Sequence, residues 1–173
     1  MPYPACSIRP MSTFAGLPAH PLLVHFIVVL ALLTALLAIL CAVWPAARQR
    51  LVWLVLALAV VTTAMTPLTT ESGEWLEHQL EHSELIEQHA ALGDTMIYFS
   101  LALLVAAILL AVLHVRAGRG RPLSAVLSGL IAALVVLAGA ATTWQVYRIG
   151  DSGAHSVWGD ALVGAGAEKE AGE

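Results

Sequence analysis

Apolar residues in this chain are gathered into four long runs that contain no charged side chain. The runs cover residues 22–43, 51–68, 96–113 and 123–141, and each holds 18 to 22 residues. At a rise of about 1.5 Å per residue, a helix of this length crosses a hydrocarbon core of roughly 30 Å. Lipid offers no partner for backbone amides, so each run is expected to be helical. The pattern predicts an all-α integral membrane protein built as a four-helix transmembrane bundle.

The polar segments between the runs set the expected boundaries of the membrane domain, which extends over residues 14–158. Its spans are predicted at about 21–44, 51–70, 92–114 and 123–146, and an outer loop at 71–91. Residues 1–13 begin with ten residues that are rich in proline and that precede a second methionine, Met11. They are interpreted as a disordered N-terminal tail or an incorrectly assigned start, and residues 159–173 as an acidic flexible tail.

Composition narrows the class of protein. Hydrophobic residues make up 59% of the chain and charged residues 12%, which excludes a soluble enzyme and a disordered chain. A net charge of -4 without a basic face excludes a nucleic-acid binder. No nucleophile elbow, phosphate-binding loop or zinc-protease motif is present, so no enzymatic activity is expected. The stretch Gly150-Asp151-Ser152-Gly153 is interpreted as a turn that ends the fourth span.

Charges in the connections predict the orientation of the bundle. Five of the eight basic residues lie in two short connections, Arg48 and Arg50 after the first span and Arg116, Arg119 and Arg121 after the third. Lys and Arg favour the cytoplasmic side of a membrane. The outer loop 71–91 carries acidic residues and no Lys or Arg. Both termini are therefore expected to be extracytoplasmic.

Two similar helical hairpins are suggested by repeated polar positions. The segment from His20 to His25 aligns with the segment from His89 to Asp94, and each precedes a span and a basic connection. The second and fourth spans each carry a Thr pair followed by Ser-Gly: Thr69-Thr70 with Ser72-Gly73, and Thr142-Thr143 with Ser152-Gly153. A duplicated hairpin with a repeat axis along the membrane normal is one interpretation. The loop lengths differ between the two halves.

Polar side chains gather at the outer ends of the four spans. His25 is the most unusual, because Pro21 suits the first helical turn and places His25 about one turn inside the span. The same membrane face also receives His20 and a set of candidate partners for His25: Glu71, Glu74, His89, Asp94, Asp151 and Ser152. Three interpretations remain open: a structural hydrogen-bonded mouth of the bundle, a heme b with His25 and His89 as axial ligands, or a divalent metal site.

Two further features have weaker functional interpretations. His78 and His82 lie four residues apart, a spacing that can chelate a metal, although a solvated face of a surface helix is the simpler interpretation. Small residues recur every four positions in the fourth span, in the rows Ser124, Ser128, Ala132 and Ala125, Gly129, Ala133. Packing within the bundle is favoured over a dimer contact.

Four ordered motifs resemble one family. They are Gly16-Leu17-Pro18-Ala19-His20-Pro21-Leu22-Leu23-Val24-His25, Ser72-Gly73-Glu74-Trp75-Leu76-Glu77, His89-Ala90-Ala91-Leu92-Gly93-Asp94 and Arg148-Ile149-Gly150-Asp151-Ser152-Gly153-Ala154. Together they resemble the bacterial four-span membrane proteins of domain of unknown function 2231. The resemblance extends from about Phe14 to Trp158.

The resemblance implies a protein of the bacterial cell membrane. It also implies a redox protein partner, because this domain occurs joined to Rieske and cytochrome-type modules, and this raises heme above a divalent metal as the expected cofactor. The motif positions His20, His25, Glu74, His89, Asp94 and Asp151 carry over without assigned roles. The function expected from the sequence is a heme-binding or redox-partner membrane module, with a cofactor-free interaction module or a divalent-metal binder as alternatives.

The charge pattern makes a topology prediction. Reporter proteins fused after Arg50 or Arg121 are expected to be active in the cytoplasm, and reporters fused at Glu81 or at the C-terminus are expected to be exported. Paired alkaline phosphatase and fluorescent protein fusions measure this directly. Cytoplasmic activity of a fusion at Glu81 would contradict the predicted orientation.

Overall fold

The computed structural model describes residues 13–14, 17–80 and 83–170, with side chains described for 18–80 and 83–158. Two short strands, β1 (Thr13–Phe14) and β2 (Leu17–Pro18), pair antiparallel ahead of the first helix. Five helices follow: α1 (His20–Val43), α2 (Pro45–Glu77), α3 (Glu84–Asp94), α4 (Met96–Gly118) and α5 (Ala125–Glu170). Of the two predicted tails, residues 1–12 and 171–173 lie outside the described residues, and the backbone of residues 159–170 belongs to α5.

Four helical segments are long and apolar enough to cross a membrane, which confirms the all-α four-span fold class. They are His20–Val43, Pro45–Glu77, Glu84–Gly118 and Ala125–Trp158. The third segment combines α3 and α4, which are separated only at Thr95. Much of the expected outer loop is helical, because α2 continues to Glu77 and α3 begins at Glu84.

Local sequence explains most of the helix boundaries. Proline occupies the first turn of both α1 and α2, where its missing amide hydrogen costs no helical bond. Trp44 adopts an extended conformation between these two helices. After α4, Gly120 has a φ of 67°, a left-handed conformation that glycine adopts without strain.

The turn expected at Gly150-Asp151-Ser152-Gly153 is wrong, since α5 continues through these residues to Glu170. Glycine in a helix interior costs only about 1 kcal/mol relative to alanine. The same stretch of α5 packs against α3. Tertiary packing of this kind outweighs the weak local preference for a turn.

The spans form a bundle in which α1 and α4 each pack against α2 and α5. The interior is lined largely by small residues, and Ala31, Ala35, Ala38, Ala59 and Ala107 are all fully buried. Small side chains let helix backbones approach closely, which is how helices associate where lipid is as apolar as the protein. Exposed Leu, Val and Trp side chains cover the outside of the bundle.

Buried positions recur in the same order in the two halves, which supports a duplicated hairpin. Each of the buried pairs Ile27 and Met96, Ala31 and Ser100, Ala38 and Ala107, and Cys41 and Leu110 has the same separation as His20 and His89. In the second helix of each half, Val55 matches Val135 and Thr62 matches Thr142 at the separation of Ser72 and Ser152.

This register corrects the alignment of the threonine pairs. Thr142-Thr143 corresponds to Thr62-Thr63 rather than to Thr69-Thr70. The physical reason is burial, because Thr62 and Thr142 are both fully inaccessible and lie the same number of residues before their Ser-Gly pairs. The alignment expected from the sequence is wrong because it rests on the short distance along the chain between Thr69-Thr70 and Ser72.

The two small-residue rows of α5 do not both pack inside the bundle. Ala125, Gly129 and Ala133 are exposed, and a Cβ atom added to Gly129 would meet nothing within 4 Å. The packing interpretation is wrong for this row. In the other row, Ser128 and Ala132 are half-buried.

One glycine of α5 does mark a close helix contact. A Cβ atom at Gly139 would lie 2.8 Å from Ile39 Cδ1 and 3.3 Å from the Ala35 carbonyl oxygen of α1. We therefore expect Gly139→Ala to destabilise the fold by about 1–3 kcal/mol through overpacking. Thermal unfolding in detergent measures the loss.

The matched control is Gly129→Ala on the same helix, where the added methyl group meets open space. This variant gains helix propensity and is expected to keep or slightly raise the unfolding temperature. Equal unfolding temperatures for the two variants would contradict the α1–α5 packing described here.

Candidate functional site

A pocket of about 430 Å³ lies where the start of α1 meets the end of α2, α3 and the later part of α5. We call it the histidine pocket, and its polar wall residues include His20, His25, Glu74, His89 and Asp94. Val24, Val28, Met96, Val146 and Ile149 supply apolar walls. Its volume lies within the range of roughly 300–1,000 Å³ typical of small-molecule sites.

His20, the first residue of α1, is held by the end of α2. Its Nδ1 atom lies 3.1 Å from the Thr69 carbonyl oxygen and 3.3 Å from Ser72 Oγ. A carbonyl oxygen only accepts hydrogen bonds, so Nδ1 of His20 must carry the proton and donate. The neutral ring then has an unprotonated Nε2 atom with a free lone pair.

His89 on α3 is held in the same way by α5. Its Nδ1 atom lies 3.0 Å from Ser152 Oγ, and the Ser152 hydroxyl donates its own hydrogen to the Ile149 carbonyl oxygen at 3.0 Å. The serine oxygen is therefore the acceptor, and Nδ1 of His89 donates to it. Nε2 of His89 is again the unprotonated nitrogen of the neutral ring.

The two imidazoles contact each other across the pocket. Their ring centroids are 6.5 Å apart and the ring planes are nearly perpendicular, at 80°. Both rings are half-buried. Within the part of the chain that the structure describes, no hydrogen bond is formed by either Nε2 atom. The pocket thus brings together two imidazoles from different halves, each with a nitrogen available for a ligand.

A glycine makes room for each ring. A Cβ atom at Gly73 would lie 2.8 Å from Cε1 of His20, and a Cβ atom at Gly153 would lie 2.9 Å from Cε1 of His89. Any larger residue at either position would push the imidazole away from the helix. In each half of the protein, a Ser-Gly pair on one helix therefore holds the histidine ring of another helix.

Of the remaining residues of the predicted cluster, three line the pocket and the others do not. His25 is exposed on the α1 wall of the pocket, and its Nδ1 atom donates to the Pro21 carbonyl oxygen at 2.6 Å. Glu74 and Asp94 are exposed wall residues. Asp151 is not part of the pocket wall, and its Oδ1 atom lies 3.9 Å from Nε2 of His155 one turn further along α5.

The expected histidine pair of the outer connection lies only partly within the described residues. His78 is exposed and does not line the pocket, and His82 lies outside the described residues. Among the residues that the structure describes, no three His, Cys, Asp or Glu side chains are placed to hold a metal ion.

Gln145 fixes the junction that carries His89. Its side chain is 3% exposed, and Nε2 donates to Thr95 Oγ1 at 2.7 Å and to the Leu92 carbonyl oxygen at 3.2 Å. These bonds tie α5 to the short break between α3 and α4. Helix α3 packs against α5 beside the pocket.

The sequence identifies both histidines, the two Ser-Gly pairs and Ser152 as a cluster candidate, but it does not predict that the Ser-Gly pairs hold the histidine rings. The recurrence of Ser-Gly near the end of each second helix was the available signal. It also favoured His25 over His20, because His25 lies deeper in the span. The structure places the His20 ring, rather than that of His25, in contact with His89.

The fold and the pocket define a four-span helical membrane protein with paired histidines at one end of the bundle. A family model described as "Predicted membrane protein (DUF2231)" matches residues 16–165. The chain belongs to this family, domain of unknown function 2231. Neither a curated protein nor a solved structure matches the chain.

The junction at Thr95 gives a prediction about the mobility of α3. Gln145→Met keeps the side-chain length but removes both hydrogen bonds, so we expect a loss of about 1–3 kcal/mol in stability. Amide hydrogen exchange in residues 84–94 should become faster. Gln88→Met, at an exposed position of α3, is the control and should change neither quantity. Unchanged exchange in Gln145→Met would show that other contacts hold α3.

Proposed function

We propose that this protein binds one heme b in the histidine pocket, with His20 and His89 as the two iron ligands, and acts with a redox protein in the membrane. The observation that supports this most strongly is the pair of imidazoles from opposite halves, each with its Nδ1 hydrogen bond already made. A hydrogen bond at one ring nitrogen orients the other nitrogen for metal binding.

The separation of the rings agrees with a single metal ion bound between them. Metal–imidazole nitrogen bonds are about 2 Å long, which puts the nitrogens about 4 Å apart and the ring centroids roughly 6 Å apart. The observed centroid separation is 6.5 Å.

The number of protein ligands favours heme over a bare divalent ion. Zinc sites use three or four protein ligands, and the described residues bring only two suitable imidazoles together at this place. Heme iron needs only its axial ligands from the protein, since the porphyrin provides the others. Bound heme would supply one-electron transfer chemistry.

The walls of the pocket suit a largely apolar group. Val24, Val28, Met96, Val146 and Ile149 line the pocket with hydrocarbon beside the two imidazoles. Such walls restrict water near a cofactor and thereby influence its reduction potential. The resemblance to domains joined to Rieske and cytochrome-type modules supports a redox protein as the partner.

The visible absorption spectrum of the protein tests this proposal. Protein purified in detergent, or titrated with hemin after purification, is expected to bind one heme per chain and to give a low-spin spectrum with sharp Soret and α bands on reduction. His20→Ala and His89→Ala should each abolish the low-spin spectrum. A titration that yields only the spectrum of free hemin, with no low-spin species, would contradict the proposal and favour a structural role for the paired histidines.

Two further histidine variants make the test specific. His78→Ala changes an exposed residue away from the pocket and should leave the spectrum intact. His25→Ala changes a wall residue whose ring bonds its own helix, so we expect retained low-spin coordination. Loss of the spectrum in His25→Ala with retention in His20→Ala would instead assign the ligand pair to His25 and His89.

A further inference from the structure

We infer that Ser72-Gly73 and Ser152-Gly153 are two copies of one histidine-positioning element, which sets the tautomer of His20 and His89 and turns both Nε2 atoms into free electron-pair donors. The four residues are positioning residues, because they act through the imidazoles. This inference concerns the ligand-free protein and does not depend on the identity of the cofactor.

The first support is the agreement of register between the halves. His20 meets Ser72 and Gly73, and His89 meets Ser152 and Gly153, at matching positions of the two hairpins. The same register pairs the buried residues Val55 with Val135 and Thr62 with Thr142. The two hairpins have interhelical connections of different length, and yet each brings its histidine against its Ser-Gly pair.

The second support is the direction of the serine hydrogen bonds. Ser72 Oγ donates to the Thr69 carbonyl oxygen at 2.8 Å, and Ser152 Oγ donates to the Ile149 carbonyl oxygen at 3.0 Å. A hydroxyl group has one hydrogen, so each serine oxygen offers only lone pairs to the imidazole. Both serines therefore select the ring form that carries its proton on Nδ1.

The third support is the close approach of ring and helix at the glycines. At Gly73 an added Cβ atom would lie 3.0 Å from Nδ1 of His20 as well as 2.8 Å from Cε1, and at Gly153 it would lie 3.2 Å from Nδ1 of His89. A methyl group there would displace the flexible end of the histidine side chain rather than a backbone. The expected consequence is a misplaced ring in a protein that still folds.

The competing explanation is that these residues only pack the helices together. The tautomer of each histidine distinguishes this explanation from the positioning role. Packing requires only that the rings fill space, whichever nitrogen carries the proton. The positioning role requires Nδ1–H in both residues. Nitrogen-15 NMR of histidine-labelled protein in detergent, with no metal or heme added, distinguishes protonated from unprotonated ring nitrogens directly.

The expected wild-type result is the Nδ1–H form for both His20 and His89 at a pH where the rings are neutral. Gly153→Ala should disturb this form in His89 and leave His20 unchanged, and Gly73→Ala should do the reverse. Gly150→Ala, one turn before Gly153 on α5, meets nothing within 4 Å and should change neither ring. Ser152→Thr keeps a hydroxyl oxygen and should retain more of the Nδ1–H form than Ser152→Ala.

A proton on Nε2 of either ring in the wild type would overturn the inference, as would glycine variants that leave both tautomers unchanged. Circular dichroism and thermal unfolding of each variant confirm that the comparison is made on folded protein. If hemin binds, Gly73→Ala and Gly153→Ala should weaken its binding roughly 10- to 100-fold, as loss of an orienting contact does. Failure of hemin binding alone would contradict the proposed function and leave the tautomer result standing.

Discussion

The structure depends on the requirement that every polar group placed in lipid finds a partner within the protein. The buried threonines satisfy this requirement within their own helices. Each donates its hydroxyl hydrogen to the carbonyl oxygen four residues earlier, as at Thr62, Thr66, Thr69 and Thr142. Among the described residues, no buried side-chain nitrogen or oxygen lacks a hydrogen bond. Polar residues are therefore tolerated within the bundle without charge, and the histidines at its mouth are held by neutral partners.

The architecture could be predicted from the sequence because the membrane restricts it so strongly. Runs of 18 to 22 apolar residues have one compatible backbone conformation in lipid, and all four runs form helices. The ends of the helices were less predictable. Helix α5 passes through Gly150 and Gly153 because packing against α3 compensates for weak local propensity, and α2 and α3 occupy much of the segment expected to be a loop.

The site could be predicted in part. The sequence placed His20, His25, Glu74, His89 and Asp94 on one face, and all five line the histidine pocket. It could not decide which histidine of α1 meets His89, because that depends on the rotation of α1 about its axis. The roles of Ser72 and Ser152 depend on hydrogen bonds between residues 52 and 63 positions apart, a separation that local patterns do not encode.

Polarity is distributed unequally along the bundle. Several of the buried hydroxyl and amide groups, among them Thr69, Ser72, Ser100 and Gln145, lie toward the end of the bundle that contains the histidine pocket. A hydrophobic core of small and aliphatic side chains, which includes Val52, Val55, Leu110 and Val135, fills much of the rest of the bundle. An ion placed in this core would lose its hydration without finding a substitute. Among the described residues, a small molecule therefore finds polar partners at the histidine pocket, and the aliphatic core offers it only hydrocarbon.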